Sequence, residues 1–108
     1  MSVTHLFAGI PVSDYDAAVA WYERLLGRPP DVLPKEREAM WHLSAAGSIY
    51  VVFDAQRAGN ALVTLAVDDL EASVAGLAAI EPGPHGMPTA VLVDPDGNRL
   101  QLFADPSA

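Results

Sequence analysis

Cysteine is absent from all 108 residues, which removes disulfides, thiolate nucleophiles and Cys-based zinc or iron–sulfur sites together. Basic residues are scarce as well: 6 Lys and Arg stand against 14 Asp and Glu, a formal charge of −8. Such a surface repels polyanions, so nucleic acids and acidic membranes are poor partners. No apolar run approaches the roughly 18 residues of a membrane span. Met1 to His5 contains no basic segment leading into an apolar one, so no secretory signal is expected and a cytoplasmic location is. Several catalytic signatures are also missing, namely the G-x-S-x-G elbow, H-E-x-x-H, G-x-x-x-x-G-K and G-x-G-x-x-G.

What the chain does contain is apolar sequence, 51% of its residues, in short periodic blocks. One domain over residues 1–108 is expected, large enough to bury about two-thirds of its unfolded surface. Val3 to Val12 reads as a strand. Ser13 then serves as a helix cap with Asp16 at capping-box spacing, and Tyr15, Val19, Tyr22 and Leu26 form an apolar stripe closed by Gly27. Strands are predicted near Glu38–Leu43 and Ser48–Phe53. The pattern restarts at Asn60. Leu62 to Val67 is apolar, Asp68 caps, and Leu70, Val74 and Leu77 form the stripe. A constant offset of 55 residues, as between Val12 and Val67, pairs Ser13 with Asp68, Tyr15 with Leu70, Val19 with Val74 and Tyr22 with Leu77. Thr89–Val93 and Arg99–Phe103 are the closing strands, joined by the turn Asp94-Pro95-Asp96-Gly97. The second half has less room before its last two strands, so one of its strands is expected to be vestigial. Each half is too small to bury its own sheet face, so the two must pack as a pair.

Two βαβββ-type halves, V-x-D at each strand–helix joint, W-Y-x-x-x-L-G at the first helix end and D-P-D-G-N before the last strand together resemble the vicinal oxygen chelate superfamily. This is the group of glyoxalases, extradiol dioxygenases and bleomycin-resistance-type proteins. The resemblance implies an α+β fold of two tandem βαβββ modules, about 1–56 and 60–108, with paired sheets curling into a cleft and helices outside. It also implies where metal-using members place ligands. The first-strand position falls on Phe7 and Leu62, and the last-strand position on Gln101, with Val51 as its first-module counterpart. Three hydrocarbons and one amide are not the imidazoles and carboxylates that divalent metals require. No cofactor is therefore expected, and the resemblance argues for the fold and against the metal chemistry.

Strand alternation nominates a cleft-facing set: His5, Phe7, Gly9, Val51, Phe53, Leu62, Thr64, Gln101 and Phe103, with Trp41 or His42 according to strand register. The expected ligand site takes Trp41 with the others, Gly9 excepted. Phe7, Trp41, Phe53 and Phe103 would stack on a ligand, and His5, Thr64 and Gln101 would orient it. The plain alternative is that these rings fill a closed core. Asp94 and Asp96 read as turn formers and His85 as a loop residue, while Trp21, off the helix stripe, is a natural dimer contact.

Three functions remain open. The first is a metal-free protein that binds an aromatic or cationic small molecule, with drug sequestration as the analogy. The second is a lyase, isomerase or dioxygenase with a site rebuilt from His5, His42 and Gln101. The third is an accessory dimerisation module with a filled cleft. The expected partners are a small molecule and a second copy of the chain.

Overall fold

The computed structural model describes residues 1–83 and 86–107. His85 lies outside them. The elements run β1 (Leu6–Val12), α1 (Tyr15–Leu26), β2 (Val32–Lys35), β3 (Glu38–Ser44), β4 (Gly47–Phe53), β5 (Leu62–Val67), α2 (Leu70–Val74), β6 (Glu81–Pro82), β7 (Pro88–Val93) and β8 (Arg99–Ala104). They make two four-stranded sheets, ordered β1-β4-β3-β2 and β5-β8-β7-β6. In each sheet the first strand pairs parallel with the last, and the remaining pairs are antiparallel. This is the tandem α+β architecture the repeat predicts, with β6 reduced to two residues.

Both helices begin one residue later than the sequence suggests. Asp14, not Ser13, caps α1 by accepting from the Ala17 amide at 3.1 Å, and Asp69, not Asp68, caps α2 by accepting from Ala72 at 3.0 Å. The 55-residue offset survives this correction. Each helix needs an acceptor for its orphan amide groups, and in both halves two adjacent polar residues compete for that role. The helix ends differ. Gly27 closes α1 in the left-handed region (φ 77°) with its amide on Glu23 O, whereas α2 stops after five residues because Ala75 leaves helical geometry (ψ 115°) and Gly76 takes φ 74°. Leu77 is thus beyond the helix, though still packed on the core.

One face of each sheet is buried against its helix. Ile10, Val12, Ala39, Trp41, Ile49 and Val51 line that face in the first half, and Ala90, Leu92, Leu100 and Leu102 in the second. Tyr22 and Ala18 from α1 and Leu70 and Val74 from α2 complete the core. Trp21 is half-buried, edge-on to Tyr22 with ring centroids 4.8 Å apart.

The halves are joined by the turn between β7 and β8. The Asp94 carboxylate accepts from Tyr22 Oη (2.9 Å), from the Asp96 and Asn98 amides (both 2.9 Å) and from Asn98 Nδ2 (2.9 Å). Asn98, fully buried, also donates to Pro11 O at the end of β1 (2.8 Å) and accepts from the Ala61 amide (2.9 Å). Asp96 accepts from both the amide and the hydroxyl of Ser13. Asp94 and Asp96 are turn formers, as predicted, and their side chains also bridge the two halves. Burial, and then the Asp94 carboxylate, push the Tyr22 phenol well above its ordinary value. Among the described residues no buried side-chain polar atom lacks a partner.

Candidate functional site

The opposite face of each sheet is open. Strand partners in register project to the same side, so the pairs Phe7–Ser48, Gly9–Tyr50 and Pro11–Val52 share the open face of the first sheet, joined by Met40 and His42 from β3. Phe7 is 53% exposed there. At Gly9 a Cβ would come 2.5 Å from Tyr50 Oη, so any larger residue there would have to displace the Tyr50 ring. In the second sheet the open face carries Leu62, Thr64 and Ala66 from β5, Arg99, Gln101 and Phe103 from β8, and Thr89, Val91 and Val93 from β7.

Several predicted site residues are therefore placed as expected: His5 and Phe7 on the first open face, and Leu62, Thr64, Gln101 and Phe103 on the second. Three are not. Trp41 and Val51 are fully buried on the helix side, in register with Ile49 and Ile10 respectively. Trp41 further donates from Nε1 to Arg28 O at 3.0 Å, which fixes it as a core residue. Phe53 pairs with Val12, on the helix side, and lines a separate groove of 490 Å³ with Ser13, Tyr15 and Arg37, whose guanidinium lies 4.8 Å above its ring.

The physical reason is strand register. Phe7 pairs with Ser48 and Leu62 with Arg99, so the first-half counterpart of Gln101 is Tyr50 and not Val51. The sequence carried a signal for this: Tyr50 lies between Ile49 and Val51 as Gln101 lies between Leu100 and Leu102. The four positions that the resemblance associates with a metal then read Phe7, Tyr50, Leu62 and Gln101. Two hydrocarbons, a phenol and an amide do not fit a divalent cation. Among the described residues no three His, Asp or Glu side chains converge as metal ligands.

His5 and His42 do come together, and Ser48 lies between them. Ser48 Oγ is 2.7 Å from His5 Nε2 and 2.8 Å from His42 Nδ1. The two rings are T-shaped with centroids 6.4 Å apart, and His5 also lies 4.5 Å from the Phe7 ring. Asp31 and Arg28 hold the backbone of His42 in place. Asp31 Oδ2 accepts from the His42 amide at 2.7 Å and from Arg28 Nη2 at 3.0 Å, and Arg28 donates to His42 O. The His42 amide and the Arg28 guanidinium hold the Asp31 carboxyl below its ordinary value. Ser48 was missed by the sequence reading because a lone serine in a strand carries no signal of its own.

Gln101 belongs to a different constellation. It lines a 560 Å³ groove on the second sheet with Leu77, Glu81, Thr89, Val91 and Val93. That groove mixes the hydrocarbon side chains of Leu77, Val91 and Val93 with an amide, a hydroxyl and a carboxylate.

The glyoxalase-like domain family matches residues 8–103. A glyoxalase/bleomycin resistance protein from Catenulispora acidiphila DSM 44928 is 38% identical, with a TM-score of 0.87 over 94% of this chain and 98% of that one. An antibiotic-binding protein from Streptomyces sp. CB03234 is 25% identical (TM-score 0.76, 96% and 98% covered). A bleomycin-binding protein solved with bleomycin shares the fold at 24% identity (TM-score 0.74, 94% and 98% covered). No functionally curated protein matches the chain. With the repeat, the sheet order and the closing turn all in agreement, the chain belongs to the glyoxalase-like domain family of the vicinal oxygen chelate superfamily.

Proposed function

We propose that this protein is a metal-free binding protein for an aromatic or cationic small molecule, acting as a homodimer. The observation that carries the reading is the pair of open sheet faces, apolar and aromatic with a few polar groups, in a fold whose relatives include a bleomycin-binding and an antibiotic-binding protein. Phe7 is 53% exposed, Leu62 68% and Val93 54%, an apolar expanse that isolated soluble domains rarely leave uncovered. A second copy laid across these faces would shelter them and enclose a ligand between Phe7, Tyr50 and Phe103, with Gln101 and Thr64 as hydrogen-bonding groups. The charge of −8 favours the approach of a cation.

Native mass spectrometry of the purified protein, with ethidium as a planar aromatic cation, tests this. The expected result is a dimer mass without bound metal and an ethidium adduct that persists as salt is raised. A stoichiometric metal ion, or a monomer that retains no ethidium, overturns the reading.

A further inference from the structure

Binding by the open faces gives Ser48 no role of its own, yet this residue is only 4% exposed and its hydroxyl bonds two imidazoles. A serine hydroxyl has one proton and two lone pairs. Between two neutral rings it donates to one and accepts from the other, so His5, Ser48 and His42 form a chain with a direction. When Ser48 donates to His42 Nδ1, both rings carry their proton on Nε2. The far nitrogens are then a bare His5 Nδ1 and a His42 Nε2–H. When the chain reverses, both rings carry the proton on Nδ1, and the far nitrogens become a donor on His5 and an acceptor on His42. Either way this edge of the sheet offers one donor and one acceptor, and Ser48 makes the two rings change together.

Beside this edge is an aromatic surface. Phe7 is 53% exposed, and its ring is inclined 34° to that of His5. His42 is exposed and His5 half-buried, so a ligand can reach both.

The geometry points to a binding site on His5, Ser48 and His42 for a planar aromatic molecule that carries a hydroxyl group, its ring against Phe7 and its hydroxyl on a far imidazole nitrogen. A hydroxyl suits the site because it both donates and accepts, so one group is satisfied in either direction of the chain. An ammonium, which only donates, is matched by the bare nitrogen alone. This assignment rests on the small-molecule reading above and narrows it to one ligand class and one position.

The test titrates ¹⁵N-labelled protein with 2-naphthol and, separately, with its methyl ether 2-methoxynaphthalene, while long-range ¹H–¹⁵N correlation follows the imidazole nitrogens. 2-Naphthol is expected to perturb the ring nitrogens of His5 and His42 together and to bind about fivefold more tightly than the ether, the worth of one hydrogen bond. His5→Phe, which keeps a ring and loses the nitrogens, is expected to abolish the preference for naphthol. Ser48→Ala is expected to leave only one ring responding. Equal binding of naphthol and ether overturns the hydroxyl site while leaving the broader reading standing. Independent responses of the two rings in the unaltered protein overturn the coupling. If neither compound moves any open-face resonance, the inference falls, and the small-molecule reading stands or falls with the ethidium measurement.

Discussion

In the first half the helix runs 12 residues and its apolar stripe includes Tyr22. In the second half, at the same 55-residue offset, the helix runs 5 and Leu77 stands in the corresponding place. The turns differ in the same sense. Between β3 and β4 there are only Ala45 and Ala46, with no side-chain hydrogen-bonding group, whereas between β7 and β8 there are Asp94, Asp96 and Asn98. The second half therefore reaches into the first through its turn, and the first answers with the Tyr22 hydroxyl, the Ser13 side chain and the Pro11 carbonyl. Nothing comparable runs in the opposite direction from Leu77 or from Ala45-Ala46. A duplicated unit has thus kept its strand order while dividing its labour: one copy supplies the longer helix and the His5–His42 pair, the other supplies the clasp and the groove beside Gln101.

The sharpest way to break that asymmetry is Asn98→Ala. It leaves Pro11 O and the Ala61 amide without partners in a buried place, a loss of roughly 3 kcal/mol. Equilibrium urea unfolding is expected to show the loss, with the two halves no longer melting in one transition; an unchanged midpoint would mean that the clasp contributes nothing.

A smaller effect is expected from Tyr22→Phe, about 1–2 kcal/mol at neutral pH from one hydrogen bond to a carboxylate. Its pH dependence is more telling. The phenol is raised in the folded protein, so its contribution is fully present below the ordinary tyrosine value of 10.0 and declines as pH rises above it, where the unfolded chain ionises first. Unfolding measured at pH 9 and again near pH 11 is expected to bring the unaltered protein and the variant closer together. A constant gap would argue against the buried phenol–carboxylate bond.

The smallest effect is confined to the first half. Asp31 is depressed in the folded state, so its hold on the His42 amide is present above the ordinary carboxylate value of 3.8 and fades as pH falls through its lower folded value. The protection factor of the His42 amide is expected to fall in acid before those of β7 and β8 do, and Asp31→Asn is expected to lower it already at neutral pH. Uniform behaviour of the two sheets in acid would remove this distinction.

The repeat, the strand order and the shortened second half were legible because apolar periodicity and turn residues are local signals. Caps were ambiguous by one residue, since Ser13 and Asp14 are both good caps and the choice was made by Asp96, 83 residues away. The same limit explains Val51. Alternation identifies two faces of β4, but which one meets the helix depends on its parallel pairing with β1, a contact made across the whole module. Trp41 was misplaced for the same reason, since its neighbour His42 was the one that faced outward. Composition could nominate the imidazoles, but only the register of β1, β4 and β3 could show that they share a serine.

The clasp also has a consequence for synthesis. Asn98 and the Pro11 carbonyl it holds are 87 residues apart, so this bond spans most of the chain. Contacts of such long range form late, after much loop closure has been accomplished. On the ribosome, the first sheet and its helix emerge before Asn98 does, since synthesis runs from the N-terminus. The nascent protein therefore passes through an interval in which Tyr22 has no carboxylate to bond and the Pro11 carbonyl has no amide. That interval ends only once Asn98 has left the tunnel.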